Sequence, residues 1–234
     1  MFGITDKEIN DLVSVIDYSE VLSITATKDE VQTACEDAKL CGFRAVVAFP
    51  QYLGMLVDAL EGTNVLAQIP VGFPCGGVTT LVKCTEAEQG LKRGATDLDM
   101  VMNLSAFQEG DYRSVSKDIQ EVKTVASPFG VPFKVIIEVG ILTDEQIVTA
   151  AKLVADSGAD FVKTCTGFGP GRATIHNIDL IKQTVGDRIG IKASGGVASL
   201  EDGVAMMRAG ATVVALRHVL VDQLKALNWP IIER

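Results

Sequence analysis

The hydrophobic and polar positions of the chain follow two patterns, short apolar runs and longer amphipathic segments. The short runs, rich in β-branched residues, predict buried strands, and the longer segments predict helices. The predicted strands cover residues 12–17, 44–49, 65–71, 97–103, 133–138, 160–164, 189–193 and 212–216. The predicted helices cover residues 28–40, 80–93, 113–126, 143–156, 175–184 and 200–208. About eight βα units with short turns predict a parallel sheet that closes into a barrel.

Start and stop signals support several of these helices. Thr143 with Gln146, and Ser199 with Asp202, have the spacing of capping boxes. Three glycines stand where helix C-caps belong and precede a predicted strand: Gly94, Gly158 and Gly210. No linker, charge run or low-complexity stretch divides the chain. The sequence therefore predicts an α/β fold, a single-domain TIM (β/α)8 barrel over residues 1–234.

Two lysines, Lys163 and Lys192, each lie inside a short apolar run that predicts a buried strand. Because successive side chains of a strand face opposite sides, the alternation also predicts which residues enter the barrel. The predicted interior holds Asp99, Lys134, Glu138, Lys163 and Lys192. An ordinary barrel core contains branched apolar side chains, so these charges indicate a functional site. A structural network of ion pairs is the alternative.

These residues suggest a particular chemistry. A buried ammonium group is costly unless it is compensated. We expect Lys192 to repel Lys163 and to lower the pKa of its amine toward neutrality. An unprotonated lysine amine forms Schiff bases with aldehydes and ketones. Lys163 is therefore the candidate nucleophile, and Asp99 either pairs with Lys192 or relays protons to the substrate.

Other catalytic arrangements find no support in the sequence. The two histidines, His176 and His218, lie far apart, and no HxH or HExxH pattern supplies metal ligands. A GxSxG serine is also missing. We expect no metal and no cofactor. We expect Cys165 to pack rather than react, and Lys83 to lie at the surface or at an interface.

Glycine-rich turns after the later strands suggest an anion site. Gly195 and Gly196 follow the seventh predicted strand and can bring backbone N–H groups to an anion, although a tight βα turn also needs glycine. Arg217 and His218 follow the eighth strand and can complete such a site. The glycine-rich segment 166–172 is expected to cover the barrel mouth.

Composition and charge fit a soluble enzyme with a small-molecule substrate. The net charge of -9 argues against a nucleic-acid partner or a basic membrane-surface protein. No apolar run approaches the roughly 20 residues of a transmembrane helix, and the acidic, polar start of the chain does not resemble a secretory signal. The five cysteines are an odd number without CxxC spacing, which indicates reduced thiols in a cytoplasmic protein.

Three segments, residues 97–103, 162–168 and 191–196, resemble the signatures of the deoxyribose-phosphate aldolase family. Shorter matches occur at residues 16–17, 26–27, 42–46, 71–74 and 134–138, so the resemblance covers nearly the whole chain. It implies a class I aldolase on a TIM barrel. Such an enzyme reversibly cleaves 2-deoxy-D-ribose 5-phosphate to acetaldehyde and D-glyceraldehyde 3-phosphate.

The resemblance also implies residue roles. By similarity, Lys163 forms the Schiff base, Lys192 lowers the pKa of Lys163, and Asp99 is the proton-relay acid. The positions assigned to substrate and phosphate binding are Asp17, Thr166, Gly167, Gly195 and Gly196.

The segment after the eighth strand departs from the family pattern. The usual Gly-x-Ser-Ser is replaced by Ala215, Leu216, Arg217 and His218. We therefore add Arg217 and His218 to the predicted substrate- and phosphate-binding residues. The guanidinium group of Arg217 can bind a phosphate or, equally, the carboxylate of a keto acid.

Three further departures concern other parts of the predicted pocket. The family's Cys-Val-Asn-Pro after the second strand is Val-Ala-Phe-Pro at residues 47–50, which makes the pocket more apolar. Tyr18 and Ser19 follow Asp17 where His-Thr is common. The C-terminal tyrosine of some members has no counterpart in residues 231–234.

Two alternatives to a deoxyribose-phosphate aldolase remain open. The first is a class I aldolase for another phosphorylated sugar or a 3-deoxy-2-keto acid. The second, suggested by the altered segment 215–218, is a catalytically inactive barrel with a binding or assembly role. The presence of Lys163, Lys192 and Asp99 argues against the second. Barrels of this kind commonly associate, so a homo-oligomer is expected.

Overall fold

The computed structural model describes residues 3–229, which form a closed barrel of eight parallel strands. The strands are β1 (Ile16–Tyr18), β2 (Ala45–Val47), β3 (Leu66–Val71), β4 (Asp97–Val101), β5 (Phe133–Ile136), β6 (Phe161–Lys163), β7 (Gly190–Ala193) and β8 (Val213–Leu216). Each strand pairs with the next in the sequence, and β8 pairs with β1. The predicted single-domain TIM barrel is confirmed.

Helices connect the strands and surround the barrel. They are α1 (Asp6–Val13), α2 (Lys28–Cys41), α3 (Leu53–Leu60), α4 (Thr80–Lys92), α5 (Leu104–Gln108), α6 (Tyr112–Ala126), α7 (Asp144–Asp156), α8 (Ile175–Val185), α9 (Leu200–Arg208) and α10 (Val219–Ala226). Short 3₁₀ turns occur at Pro50–Tyr52, Ser127–Phe129 and Val139–Ile141. Within residues 3–229, no helix is both long and apolar enough to cross a membrane.

The predicted strand at 12–17 was wrong in its first half. Leu12 and Val13 are the buried end of α1, and β1 begins only at Ile16. An apolar run that passes from a helix into a strand without glycine or proline gives no boundary signal. Helices α1, α3, α5 and α10 were also not predicted. α1 does begin with a capping box between Thr5 and Glu8.

The predicted capping signals are largely confirmed. Thr143 and Gln146 form a reciprocal capping box at the start of α7. Ser199 accepts the Asp202 N–H, but the Asp202 carboxylate accepts from the Ala198 N–H instead of closing the box. The three predicted C-cap glycines have left-handed φ angles: Gly94 at 98°, Gly158 at 86° and Gly210 at 117°.

The sheet separates an apolar layer from a charged interior. Leu98 and Met100 of β4, together with Val162 of β6, pack outward into the apolar layer between the strands and the helices. Because side chains alternate along a strand, Asp99 and Lys163 face the other way, into the barrel. The hydrophobic core therefore lies between the strands and the helices, and the charged side chains lie on the other side of the sheet, inside the barrel.

Candidate active site

The barrel interior contains a cluster of buried polar side chains, which we call the interior cluster. Its members are Asp17, Gln68, Asp97, Asp99, Lys134, Lys163 and Lys192, all at most 2% exposed, together with Arg44, whose side chain is 16% exposed. They come from β1, β3, β4, β5, β6 and β7, with Arg44 directly before β2. The prediction that Asp99, Lys134, Lys163 and Lys192 enter the barrel is confirmed.

Lys163 and Lys192 lie next to each other on paired positions of β6 and β7. The Nζ atom of Lys163 lies 2.6 Å from Oδ2 of Asp99, and that of Lys192 lies 2.7 Å from the same oxygen. Lys192 also lies 2.5 Å from Oδ2 of Asp17. Asp99 therefore bridges the two lysines, and Lys192 has an additional carboxylate partner.

The two lysines differ in protonation. Burial, reinforced by the charge of Lys192, lowers the pKa of Lys163 to about 8, although Asp99 acts in the opposite direction. Burial acts on Lys192 as well, but its carboxylate neighbours Asp17 and Asp99 outweigh it and raise its pKa. Burial, and not the repulsion by Lys192 expected from the sequence, is the larger cause of the lowered pKa of Lys163. Lys163 is therefore the lysine that loses its proton more readily, and Lys192 remains an ammonium group.

Asp99 is the central carboxylate of the interior cluster. Burial disfavours its charge, but Lys163 and Lys192 more than offset this and hold the pKa of Asp99 well below its usual range. Lys134 lies 3.5 Å from Oδ1 of Asp99, and the Gln68 side-chain amide donates to that oxygen. Asp99 is therefore ionised at neutral pH, so it has no proton to donate.

A second group of ion pairs continues the interior cluster. Arg44 donates to both Asp17 and Asp97, with 2.7 Å between its Nη2 and Oδ2 of Asp97. Lys134 donates to Asp97 and lies 3.8 Å from Oδ2 of Asp17. Sequence reasoning did not include Arg44 or Gln68 in the interior. The signal for Gln68 was a single polar residue inside the otherwise apolar strand 65–71.

A cavity of about 310 Å³ opens at the carboxyl ends of the strands. It is lined by Ser19, Leu22, Val47, Lys163, Thr166, Gly167, Lys192, Ser194, Gly195, Gly196, Val197, Ala215 and Arg217. Most of the predicted site residues are thus brought together around one cavity. Asp17 and Asp99 do not line the cavity. Asp99 pairs with Lys163 and Asp17 pairs with Lys192, and both lysines line it. Active sites of TIM barrels occur at this end of the strands.

One side of the cavity is suited to an anion. Gly195 and Gly196 have φ angles of 89° and 79°, and a Cβ atom on either would crowd a neighbouring side chain. Within residues 3–229, the N–H groups of Gly195, Gly196 and Val197 have no protein acceptor. The exposed Arg217 forms no ion pair within this part of the chain. Consecutive free N–H groups and a guanidinium group are donors that bind phosphate or carboxylate.

Thr166 lines the cavity, and its side chain is also hydrogen-bonded within the protein. Its hydroxyl donates to Oε2 of Glu138 at 2.5 Å and accepts from the N–H groups of Phe168 and Gly169. The single hydroxyl proton of Thr166 is therefore already used within the protein. In the same loop, the neighbouring residue Gly167 also lines the cavity.

Glu138 lies outside the interior cluster, contrary to the sequence prediction. It follows β5 with a left-handed φ of 56°, and its carboxylate accepts from both the N–H and the hydroxyl of Thr166. Its other oxygen, Oε1, is buried without a hydrogen-bond partner within the described residues. Glu138 therefore anchors the loop after β6 instead of contacting the lysines.

His218 is not among the residues that line the cavity. Its Nδ1 lies 3.2 Å from the Tyr18 hydroxyl and 3.8 Å from the Asp37 carboxylate, and its side chain is 47% exposed. Of the altered segment after β2, Val47 lines the cavity, but Phe49 packs against Phe73 and Phe168. The expected apolar character of the pocket therefore comes from Val47 alone in this segment.

Cys165 and Lys83 do not line the cavity. Burial raises the pKa of the Cys165 thiol to about 12, which keeps it protonated, as a packing role requires. Lys83 is not at the surface as expected. It is fully buried, with its Nζ 2.5 Å from Asp118 and 2.9 Å from the Val101 carbonyl.

A metal-binding group and a larger surface groove are two further features to compare with this cavity. Among residues 3–229, no three His, Cys, Asp or Glu side chains form a group that could hold a metal ion. A groove of about 970 Å³ lies at the opposite, amino-terminal end of the strands, beside Lys39, Phe43 and Trp229. It contains none of the interior cluster. The cavity at the carboxyl ends is therefore the candidate active site.

A TIM barrel with a buried, partly deprotonated lysine at the carboxyl ends of its strands defines a barrel enzyme equipped for class I aldolase chemistry. The model of the DeoC/LacD family of aldolases matches residues 15–220, and the chain belongs to this family, whose members are aldehyde-lyases.

Named relatives agree with this membership. The chain is 41% identical over 207 residues to the deoxyribose-phosphate aldolase of Caldanaerobacter subterraneus subsp. tengcongensis, covering 88% of this chain and 89% of that one. It is 44% identical over 202 residues to the enzyme of the same name from Thermoanaerobacter pseudethanolicus, covering 86% and 90%. The tetrameric deoxyribose phosphate aldolase of Aeropyrum pernix superposes with a TM-score of 0.82 at 28% identity, covering 96% and 100%.

Proposed function

We propose that this protein reversibly cleaves 2-deoxy-D-ribose 5-phosphate to acetaldehyde and D-glyceraldehyde 3-phosphate through an imine on Lys163. The observation that carries the proposal is the Lys163 amine. It lies on the cavity wall, has a pKa of about 8, and contacts a carboxylate shared with Lys192. The relatives that share the name deoxyribose-phosphate aldolase support the choice of substrate.

The proposed reaction begins with attack of the neutral Lys163 amine on the aldehyde carbon of the open-chain sugar. Loss of water gives a protonated imine. Removal of the C3 hydroxyl proton then breaks the C2–C3 bond, and the electron pair passes to the imine nitrogen as an enamine. Glyceraldehyde 3-phosphate leaves, the enamine is protonated at C2, and hydrolysis releases acetaldehyde and the free amine.

The neighbours of Lys163 fit the proton transfers of these steps. Asp99 is ionised and lies 2.6 Å from the Lys163 amine, so it accepts protons. Lys192 remains protonated because of Asp17 and Asp99, so it donates them. Proton transfer by positioned groups of this kind accelerates a reaction by roughly 10²–10⁴-fold. The same reasoning argues against an inactive barrel, because each group required is in place.

We assign the phosphate to the other side of the cavity. There the N–H groups of Gly195 and Gly196 have no protein acceptor within residues 3–229, and Arg217 lines the same cavity. Asp17 acts through Lys192, and Thr166 acts by holding the loop that presents Gly167. In this proposal His218, whose Nδ1 lies 3.2 Å from the Tyr18 hydroxyl, does not contact the phosphate directly.

A second candidate substrate is a 3-deoxy-2-keto acid, because Arg217 in the cavity is able to bind its carboxylate. The single guanidinium of Arg217 matches the planar geometry of a carboxylate as well as that of a phosphate. The two candidates differ in where the anion lies, since the carboxylate of a 2-keto acid adjoins the carbon that forms the imine. The lysines and Arg217 line the same 310 Å³ cavity, so either substrate is compatible with the site.

The deciding experiment is a retro-aldol screen of phosphorylated and unphosphorylated deoxy sugars and 3-deoxy-2-keto acids, each with borohydride trapping. Cleavage of 2-deoxyribose 5-phosphate above the other substrates, with the reduced adduct on Lys163, is the expected result. Lys163→Ala should abolish both adduct and turnover, with the surface variant Lys117→Ala as a control. A preference for keto acids would select the second candidate. An adduct confined to Lys192 or Lys134 would contradict the assignment of Lys163.

We also propose that the protein works in the cytoplasm as a homo-oligomer. All five cysteines are free thiols, as expected in a reducing compartment. The structurally similar Aeropyrum pernix protein is a tetramer. Light scattering after size-exclusion chromatography tests the assembly, since a monomeric mass at micromolar concentration would contradict it. Cell fractionation tests the location.

A further inference from the structure

Gln68 is the one interior-cluster member that carries no charge, and it joins two of the charged groups. It is fully buried on β3. Its Nε2 donates to Oδ1 of Asp99, and its Oε1 accepts from the Lys192 Nζ at 3.4 Å. A side-chain amide is able to do both because it carries a donor and an acceptor. Gln68 therefore connects the proton acceptor and the proton donor of the proposed reaction.

The charges around Gln68 do not balance when all groups are ionised. The cations of the interior cluster are Arg44, Lys134, Lys163 and Lys192, and the anions are Asp17, Asp97 and Asp99. β8 adds no charged residue to the interior, since its Val213 and Ala215 are apolar. Four cations thus face three carboxylates in a buried space. A net charge in such a space is costly, and loss of one proton removes it.

Contacts determine which cation loses the proton. Arginine side chains stay protonated in proteins, so Arg44 is not the group that loses the proton. Lys134 donates directly to Asp97 and lies near Asp17 and Asp99. Lys192 lies within 2.7 Å of two carboxylates. Lys163 has Asp99 as its one carboxylate within ion-pair distance, in this part of the chain, and shares it with Lys192. Lys163 is consequently the cation that is least well compensated.

We propose that Gln68 is a positioning residue for the aldolase reaction. Its amide holds the Asp99 carboxylate between the two lysines, and its neutrality leaves the interior one carboxylate short, so that Lys163 is the group that gives up a proton. This inference rests on the proposed role of Lys163 as the imine-forming amine. It adds a residue and a physical cause that the imine assignment alone does not contain.

Two substitutions separate the two parts of the proposal. Gln68→Glu adds a fourth carboxylate, which balances the four cations and favours the protonated form of Lys163. Gln68→Met has a similar length, no charge and no hydrogen bond, so it preserves the charge count but releases Asp99. Gln120→Glu, on the exposed face of α6, adds the same charge at the surface and serves as the matched control.

The experiment measures the rate of borohydride trapping with acetaldehyde as a function of pH, together with the turnover of 2-deoxyribose 5-phosphate. In the wild type, trapping should rise with pH through the pKa of Lys163. Gln68→Glu should move this rise to higher pH by about one to three units, the effect of an opposite charge within a few ångströms. Gln68→Met should leave the rise near its wild-type pH and reduce turnover at least tenfold, and Gln120→Glu should change neither.

Several outcomes would overturn the proposal. A folded Gln68→Glu protein with an unshifted trapping profile would show that the charge count does not control Lys163. Wild-type turnover in Gln68→Met would show that the amide does not position Asp99. If Gln68→Glu does not fold, Gln68→Met alone still decides the positioning role. Failure of wild-type trapping at Lys163 would contradict the proposed function instead, so the two failures are distinguishable.

Discussion

Lys163 and Lys192 occupy paired positions on neighbouring parallel strands, and their Nζ atoms lie 2.6 and 2.7 Å from the same Asp99 oxygen. Despite this near-symmetry, the pKa of Lys163 is lowered to about 8 and that of Lys192 is raised. The difference arises because Lys192 also lies 2.5 Å from Asp17, whereas Asp99 is the one carboxylate within ion-pair distance of Lys163 in residues 3–229. Two identical side chains thereby differ in how readily they lose a proton.

Replacing Lys192 should shift the pH dependence of imine formation. Lys192→Met removes a cation that lowers the pKa of Lys163, and it leaves Oδ2 of Asp99 to Lys163. The pKa of Lys163 should therefore rise by about one unit. Because imine formation needs the neutral amine, the rising part of the trapping profile should move to higher pH. It should not reach the ordinary lysine value of 10.5, because burial is the larger cause of the shift and remains.

The measurement is the borohydride trapping rate at Lys163 from about pH 6 to pH 10, since this range brackets the ordinary and lowered lysine pKa values. Lys117→Met, at a position whose side chain is 74% exposed, removes the same charge far from the barrel interior and should leave the profile in place. An unchanged profile in Lys192→Met would count against electrostatic coupling between the two lysines.

Asp99→Asn should separate imine formation from proton transfer. The substitution removes a carboxylate that stabilises protonated Lys163, so trapping should begin at lower pH. Turnover should fall by roughly 10²–10⁴-fold because the proton acceptor is lost. Single-turnover trapping and steady-state cleavage, measured on the same preparation, test both effects. Turnover at the wild-type rate would remove Asp99 from the mechanism.

Arg217→Ala should weaken binding of anionic substrates selectively. A charge-assisted contact contributes about 1.5–3 kcal/mol, so KM for 2-deoxyribose 5-phosphate should rise roughly ten- to a hundredfold. Cleavage of unphosphorylated 2-deoxyribose should be nearly unaffected. Arg113→Ala on the exposed surface of α6 is the matched control. Equal effects on both sugars would mean that Arg217 has a structural role.

Glu138→Leu should loosen the loop after β6 without changing the lysine chemistry. The N–H and hydroxyl of Thr166 would lose their acceptor, which should lower the free energy of unfolding by about 1–3 kcal/mol. We expect a higher KM and an unchanged pH profile of trapping, because Glu138 makes no ion pair with the interior lysines within the described residues. Glu138→Gln retains an acceptor and should be milder. Equal effects of the two substitutions would contradict the hydrogen-bond explanation.

Lys83→Met should lower the stability of the protein without changing the pH profile of trapping, since Lys83 is buried outside the barrel interior. Lys83 pairs with Asp118 between α4 and α6, and burial lowers its pKa. Removing one partner of a buried ion pair typically costs about 3–5 kcal/mol, so Tm should fall clearly. Chemical denaturation and trapping, measured in parallel, should show lower stability with an unshifted pH profile. A shifted profile would imply that Lys83 acts on the site through Val101 at the end of β4.

The sequence predicted the structure best where the hydrophobic pattern repeats over a few residues. A period of two residues within apolar runs predicted the strands and placed Asp99, Lys163 and Lys192 on the inner face. It failed at Glu138, because β5 ends at Ile136 and the alternation of a strand no longer applies beyond it. It also failed at Leu12, where the apolar run continues from a helix toward a strand.

The interior partners of the lysines could not be predicted from any local pattern. Gln68 and Arg44 join the interior cluster only because the barrel closes and brings β2 and β3 opposite the strands that carry the lysines. Likewise, Arg217 and His218 are adjacent in sequence, but one lines the cavity and the other packs against Tyr18. Adjacent residues at the end of a strand point in different directions, and the turn that follows decides which of them faces the site.

The sequence by itself determined the order of the strands, the barrel class and the presence of three inward-facing lysines, because these depend on periodicities within a few residues. Tertiary structure alone decided that the pKa values of Lys163 and Lys192 shift in opposite directions. Asp99 is 64 positions from Lys163 and 93 from Lys192, yet it lies within 2.7 Å of both. Protonation depends on burial and on charges a few ångströms away, and closure of the barrel creates both.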